Sequence, residues 1–155
     1  FTDHDEITTV QRLLFMQQFR RLHPVQGSSQ LVRLAGQTTD QAESLNLIHS
    51  MELLAQIHER QALKEFVAWT WPLARLSDGS LLWVSPADYL TESARLSRDL
   101  SDLQTRHADA AVMLLIPGRV SPQARELIAG HKIRLVEKGE TGALTGSSQP
   151  ARPTE

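Results

Sequence analysis

The run AAVMLLI at 110–116 constrains this chain more than any other stretch. Seven consecutive apolar residues have the length of a strand and leave no polar side to turn toward water, so the strand must be covered on both faces. SPQARELIAG and then KIRLVE follow it closely. Ser121 and Pro122 have the composition of a helix start, a side-chain cap followed by a residue whose missing N–H costs nothing there. Ala124, Leu127 and Ile128 supply an apolar stripe, and Gly130 reads as a left-handed stop. Strand, short helix, strand is a crossover unit, so 111–136 is expected to hold two parallel strands with a right-handed connection.

A second strong local signal lies upstream. Pro72 forbids helix, and WPLARL, Asp78-Gly79 and SLLWV together read as an antiparallel hairpin. Ser85, Pro86 and Asp88 then suggest a helix over 86–105, with Tyr89 or Leu90, Ala94, Leu96, Leu100 and Leu103 as its buried stripe. Nearer the start, Asp3 and Glu6 resemble a capping box for a helix over 4–22, ended by His23-Pro24. LVRLAG, closed by Gly36, fits a strand, and Asp40 caps a helix expected to reach Ala68 with a break near Arg60. From Gly139 the chain is rich in Gly, Ser, Thr and Pro and reads as a tail or linker. The expected class is α/β, with α+β as the alternative. The expected architecture is a mixed sheet with an antiparallel hairpin and a C-terminal β-α-β unit, preceded by helices. Residues 1–36 are expected to be an N-terminal helix and connecting segment, 37–138 the α/β core and 139–155 a flexible tail or linker.

Composition limits function more than it names it. With 155 residues, 41% hydrophobic and 22% charged, the chain suits one core. The absence of cysteine removes disulfides, thiolate zinc sites and cysteine nucleophiles. A net charge of -2 argues against strong non-specific nucleic-acid binding. No apolar run approaches eighteen residues, so no membrane segment is expected and the cytoplasm is the default location. A chain that begins at Phe1 reads as a piece of a longer protein, whose remainder or a separate protein is the expected partner.

The order helix, hairpin, helix, buried strand, short helix, strand over about 45–138 resembles the restriction-endonuclease-like fold, the PD-(D/E)xK superfamily, in its Mrr-like branch. ADAAVMLLIPGRVSPQARELIAGHKIRLVEKGE is similar in pattern to that family's closing unit, and SMELLAQIHERQALKEFVAW to its first core helix. The resemblance implies an Asp near the hairpin and an acid-x-Lys on its second strand, binding Mg²⁺ for phosphodiester cleavage. Here that strand reads SLLWVS, with neither acid nor lysine. Asp78 is the nearby carboxylate, and turn chemistry accounts for it. The resemblance therefore implies a degenerate copy, scaffold kept and metal site lost, that binds or scaffolds within a larger, DNA-processing protein. An active nuclease using Glu52, Glu59 and Asp78 stays open, as does an accessory interaction domain of a conjugation or secretion machine.

Other constellations have plain structural readings. His49 and Glu52, with Gln56 and Glu59, share one side of a helix and could hold a metal, yet such a row is ordinarily a solvated face. Asp3, His4, Asp5 and Glu6 complement a helix dipole, and His107 with Asp109 reads as a loop hydrogen bond. Arg119, Arg125, Lys132, Arg134 and Lys138 offer an anionic partner a basic third, interleaved with Glu126, Glu137 and Glu140. No P-loop or GxGxxG occurs, and no cofactor is expected. Trp69, Trp71 and Trp83 cluster about the hairpin, and one left exposed would be a partner anchor; Trp71 and Trp83 are the candidates.

Overall fold

Every side chain of Val112–Ile116 is buried, as its composition requires. A computed structural model describes residues 8–137. In chain order these form α1 (Thr9–Leu22), α2 (Ser29–Gln37), α3 (Gln41–Arg60), β1 (Leu63–Val67), β2 (Leu73–Leu76) and β3 (Leu81–Val84). There follow β4 (Tyr89–Leu90), α4 (Ala94–Arg106), β5 (Val112–Ile116), β6 (Arg119–Val120), α5 (Pro122–Gly130) and β7 (Arg134–Glu137). The main sheet has the order β1-β2-β3-β5-β7, while β4 and β6 pair as a short parallel ribbon. β1, β2 and β3 are antiparallel neighbours; β3, β5 and β7 run parallel. The protein is thus an α/β fold with a mixed sheet, the anticipated hairpin and a C-terminal β-α-β unit.

Alternation along the strands divides the core between the two faces of the sheet. Leu82 and Val84 of β3, with Met113 and Leu115 of β5, face one cluster, which holds Phe15 and Leu22 of α1 and Met51, Leu54 and Ala55 of α3. Leu81, Trp83, Leu114 and Ile116 face the other, with Leu96, Leu100 and Leu103 of α4 and Ala124 and Ile128 of α5. Helices therefore cover both faces, which is why β3 and β5 carry no polar positions.

Three local expectations are corrected. LVRLAG belongs to α2: its buried residues are Leu31, Leu34 and Ala35, the i, i+3, i+4 spacing of a helix face. The helix from Asp40 ends at Arg60, and residues expected to prolong it form β1. A register irregularity between Leu63 and Glu65 places Leu63 and Phe66 both inward, so β1 imitates helical spacing. The helix expected from Pro86 begins at Ala94, capped by Ser93, whose hydroxyl accepts from Leu96 N–H. Backbone groups of 85–90 are taken up by pairing: Ser85 N–H donates to Leu115 O, while Asp88 O and Leu90 O accept from Arg119 and Ser121. Tyr89 and Ala94 are consequently exposed, leaving Leu96, Leu100 and Leu103 as the buried stripe.

The helix ends differ in detail as well. Thr8, with Gln11, makes a capping box for α1, whereas the acidic cluster at 3–6 lies outside the described residues, as do Lys138 and the segment 139–155. Gly130 is the last residue of α5, and the left-handed residue beyond it is Lys132, at φ 57°. Among the described residues no helix is long and apolar enough to cross a membrane.

Candidate functional site

β3 delivers the chain to a cleft at its carboxyl end, where open parallel-strand sheets usually place ligands. Val84, Ser85, Pro86 and Ala87 form one wall, Glu43, Asn46, Leu47 and Ser50 of α3 another, and Arg95, Leu96 and Asp99 of α4 a third. Trp71 and Trp83 complete it, around a volume of about 350 Å³, within the range of small-ligand sites. Trp83 is buried and packs edge-on against Trp69 at 5.0 Å, whereas Trp71 is half-buried.

The tryptophans are held by α4. Trp71 Nε1 donates to Asp99 Oδ2 at 2.9 Å, and Trp69 Nε1 donates to Asp102 Oδ2 at 2.8 Å. Asp99 and Asp102 are three residues apart on the helix, so they share a face and pin the loop between β1 and β2 at two points. Asp102 Oδ1 also takes a hydrogen bond from Arg106 Nε at 2.8 Å. Arg106 and then Trp69 hold the Asp102 carboxyl below the usual carboxylate range. Arg95 lies over the Trp71 ring, 4.6 Å from its centroid.

Glu43 and Asp99 are the carboxylates lining this cleft, and both are engaged internally. Glu43 Oε2 accepts from Thr39 N–H and Oγ1, each at 2.8 Å, and Asp99 accepts from Trp71. Among the described residues no three His, Asp or Glu side chains gather as a metal ion would need. Asp78 stands at the opposite end of β3, about 13 Å away by strand rise. There it accepts from Ser80 N–H and Oγ, and the Ser80 hydroxyl, then its N–H, lower its pKa. His49, Glu52, Gln56 and Glu59 are exposed along α3, with Glu59 bridged to Arg21 at 2.6 Å.

The basic residues divide. Arg119 and Arg125 border a shallow hollow with Asp88, Tyr89 and Glu137, and Arg125 is paired with Glu137 across α5 and β7. Lys132 and Arg134 are exposed at the other end of β7. His107 is held neutral to lower pH than usual, chiefly by burial and then by Arg75, with Asp109 opposing. His131 Nδ1 lies 2.8 Å from Leu127 O, and its Nε2 lies 3.1 Å from Ser101 Oγ. That pair lines neither concavity and reads as an interhelix tie.

Trp71 and Trp83 are legible in the sequence as candidate anchors, whereas Asp99, Asp102 and Arg95 are not. Their helical spacing was visible; that they face tryptophans was not. Searches of protein-family models, curated proteins and solved structures find no match for the chain.

Proposed function

We propose that this chain is a non-catalytic binding module, on a scaffold similar to the restriction-endonuclease-like fold, with the tryptophan-lined cleft as its recognition site. One observation carries the reading: the hairpin's second strand, where that family keeps its acid and lysine, presents Leu81, Leu82, Trp83 and Val84. The cleft at its end offers two carboxylates, Glu43 engaged by Thr39 through Oε2 and Asp99 by Trp71 through Oδ2. Mg²⁺ is ordinarily anchored by one or two carboxylates; here each acid has one oxygen committed to an internal donor and, among the described residues, no third ligating side chain gathers beside them, which disfavours that ion. A nucleic-acid partner is disfavoured by the same two acids and by the net charge of -2.

The test is incubation with DNA and RNA in Mg²⁺, beside the Glu52→Ala, Asp78→Ala double variant. Neither protein is expected to cleave; cleavage by the parent that the variant has lost would overturn the proposal. A second reading, an accessory domain of a conjugation or secretion machine that docks through its first helix and tryptophan cluster, is favoured by Val10 and Leu13 of α1, which are 64% and 66% exposed. It predicts no DNA binding, so affinity that falls steeply with salt would count against it.

A further inference from the structure

Three charged residues line the cleft: Glu43, Arg95 and Asp99. Arg95 and Asp99 are four apart on α4, a spacing that ordinarily closes an ion pair. Here it does not. Among the described residues no carboxylate lies within ion-pair distance of the exposed Arg95 guanidinium, which makes no side-chain hydrogen bond and rests on the half-buried Trp71 ring. Asp99 is turned instead to the Trp71 indole N–H through Oδ2, and no donor among the described residues reaches its Oδ1.

We propose that the Trp71 face is a receptor for a guanidinium or ammonium group of a partner polypeptide, carried beside an apolar side chain, and that Arg95 is its built-in stand-in. This rests on the reading of the cleft as a binding site and names what enters it. An aromatic face attracts a cation through the ring quadrupole, and the ring N–H bound to a carboxylate keeps negative charge at the ring's edge. Without Arg95 the lining charge is that of two acids, which complements a cation and repels a phosphate or carboxylate. Leu47, Trp83 and Leu96 supply the apolar floor for the neighbouring side chain. Arg95 is exposed and bound by stacking alone, so an incoming cation displaces it without breaking an ion pair.

The probe is N-acetyl-leucyl-arginine amide, titrated into the full chain and followed by the Trp71 indole N–H resonance and tryptophan fluorescence. The citrulline analogue, equal in size and uncharged, is the control. The arginine peptide is expected to shift Trp71, to bind more weakly as salt rises, and to bind about two- to fivefold more tightly to Arg95→Ala, the scale of one exposed cation–π contact. Asp99→Asn is expected to weaken it. Among the described residues Arg95 makes no ion pair and no side-chain hydrogen bond, so its variant is expected to fold, as circular dichroism will check. Equal binding of the citrulline peptide would overturn the cation assignment while leaving the cleft a binding site, and unchanged affinity in Arg95→Ala would overturn the stand-in role. Silence of every cleft resonance to both peptides would overturn this inference and the recognition site on which it rests.

Discussion

Gly27 sits at φ +77°, and a Cβ there would lie 2.6 Å from Phe66 O. The close approach lets Phe66 N–H donate to Gln26 O, which covers part of the free edge of β1. Gly27→Ala meets both a left-handed backbone and a collision with main chain, and should lower stability by about 2 kcal/mol or more in urea unfolding. The reverse holds at Lys132, a side-chain-bearing residue at φ 57° after α5. Lys132→Gly is expected to raise stability by up to about 1 kcal/mol, net of the entropy that glycine adds to the unfolded chain. Titration adds a pH signature. His107 has a lowered pKa in the folded chain, so unfolded chains take up its proton at higher pH. Its contribution is complete above the ordinary histidine value, about 6.5, and is lost as pH falls through the folded value. Asp102 and Asp78 are lowered from the carboxylate range, so their contributions vanish only in stronger acid. Stability should therefore fall in two stages on acidification, and His107→Asn should remove the first, which urea midpoints across pH would reveal.

At the scale of elements, the paired indole–carboxylate bonds fasten α4 to the loop before β2. Hydrogen bonds to a charged acceptor are worth about 1.5–3 kcal/mol when sheltered, and partial exposure cuts this to about 1 kcal/mol each. Asp99→Ala and Asp102→Ala should each lose about that much, and Asp99→Ala should also shift tryptophan emission to the red as Trp71 loosens. How far such elements were legible depends on where their signals lie. The hairpin, β5, α5 and β7 announce themselves through adjacent residues: Asp78-Gly79, the unbroken apolar run, and Ser121-Pro122. α2 reads as a strand in sequence because the six residues of LVRLAG admit both alternation and helical spacing. β1 was hidden by its own irregularity, and the start of α4 by pairing between 85–90 and 115–121. The cleft was half visible for the same reason. Trp71 and its neighbour Trp69 are close in sequence, but the acids that orient them, Asp99 and Asp102, lie 28 and 33 residues further on.

For the whole molecule, one sheet serves two cores: Leu114 faces α4 and α5 while its neighbour Leu115 faces α1 and α3. A strand that supplies adjacent residues to opposite clusters cannot lose one without disturbing the other. The two helical layers are therefore expected to unfold together, although only one of them is watched by the tryptophans. Trp69 and Trp83 belong to the α4 side, with Trp71 packed against it, and the first three helices contain no tryptophan. Fluorescence consequently reports one layer, while far-ultraviolet circular dichroism takes in the larger helical mass of the other. In urea the two signals should superimpose with one midpoint. Leu54→Ala in the first cluster and Leu114→Ala in the second should each cost about 2–5 kcal/mol and move both curves equally. A dichroism transition that precedes the fluorescence transition, and is shifted by Leu54→Ala alone, would mean that α1–α3 melts as a separate unit, so that the sheet couples the two layers less tightly than its alternating side chains require.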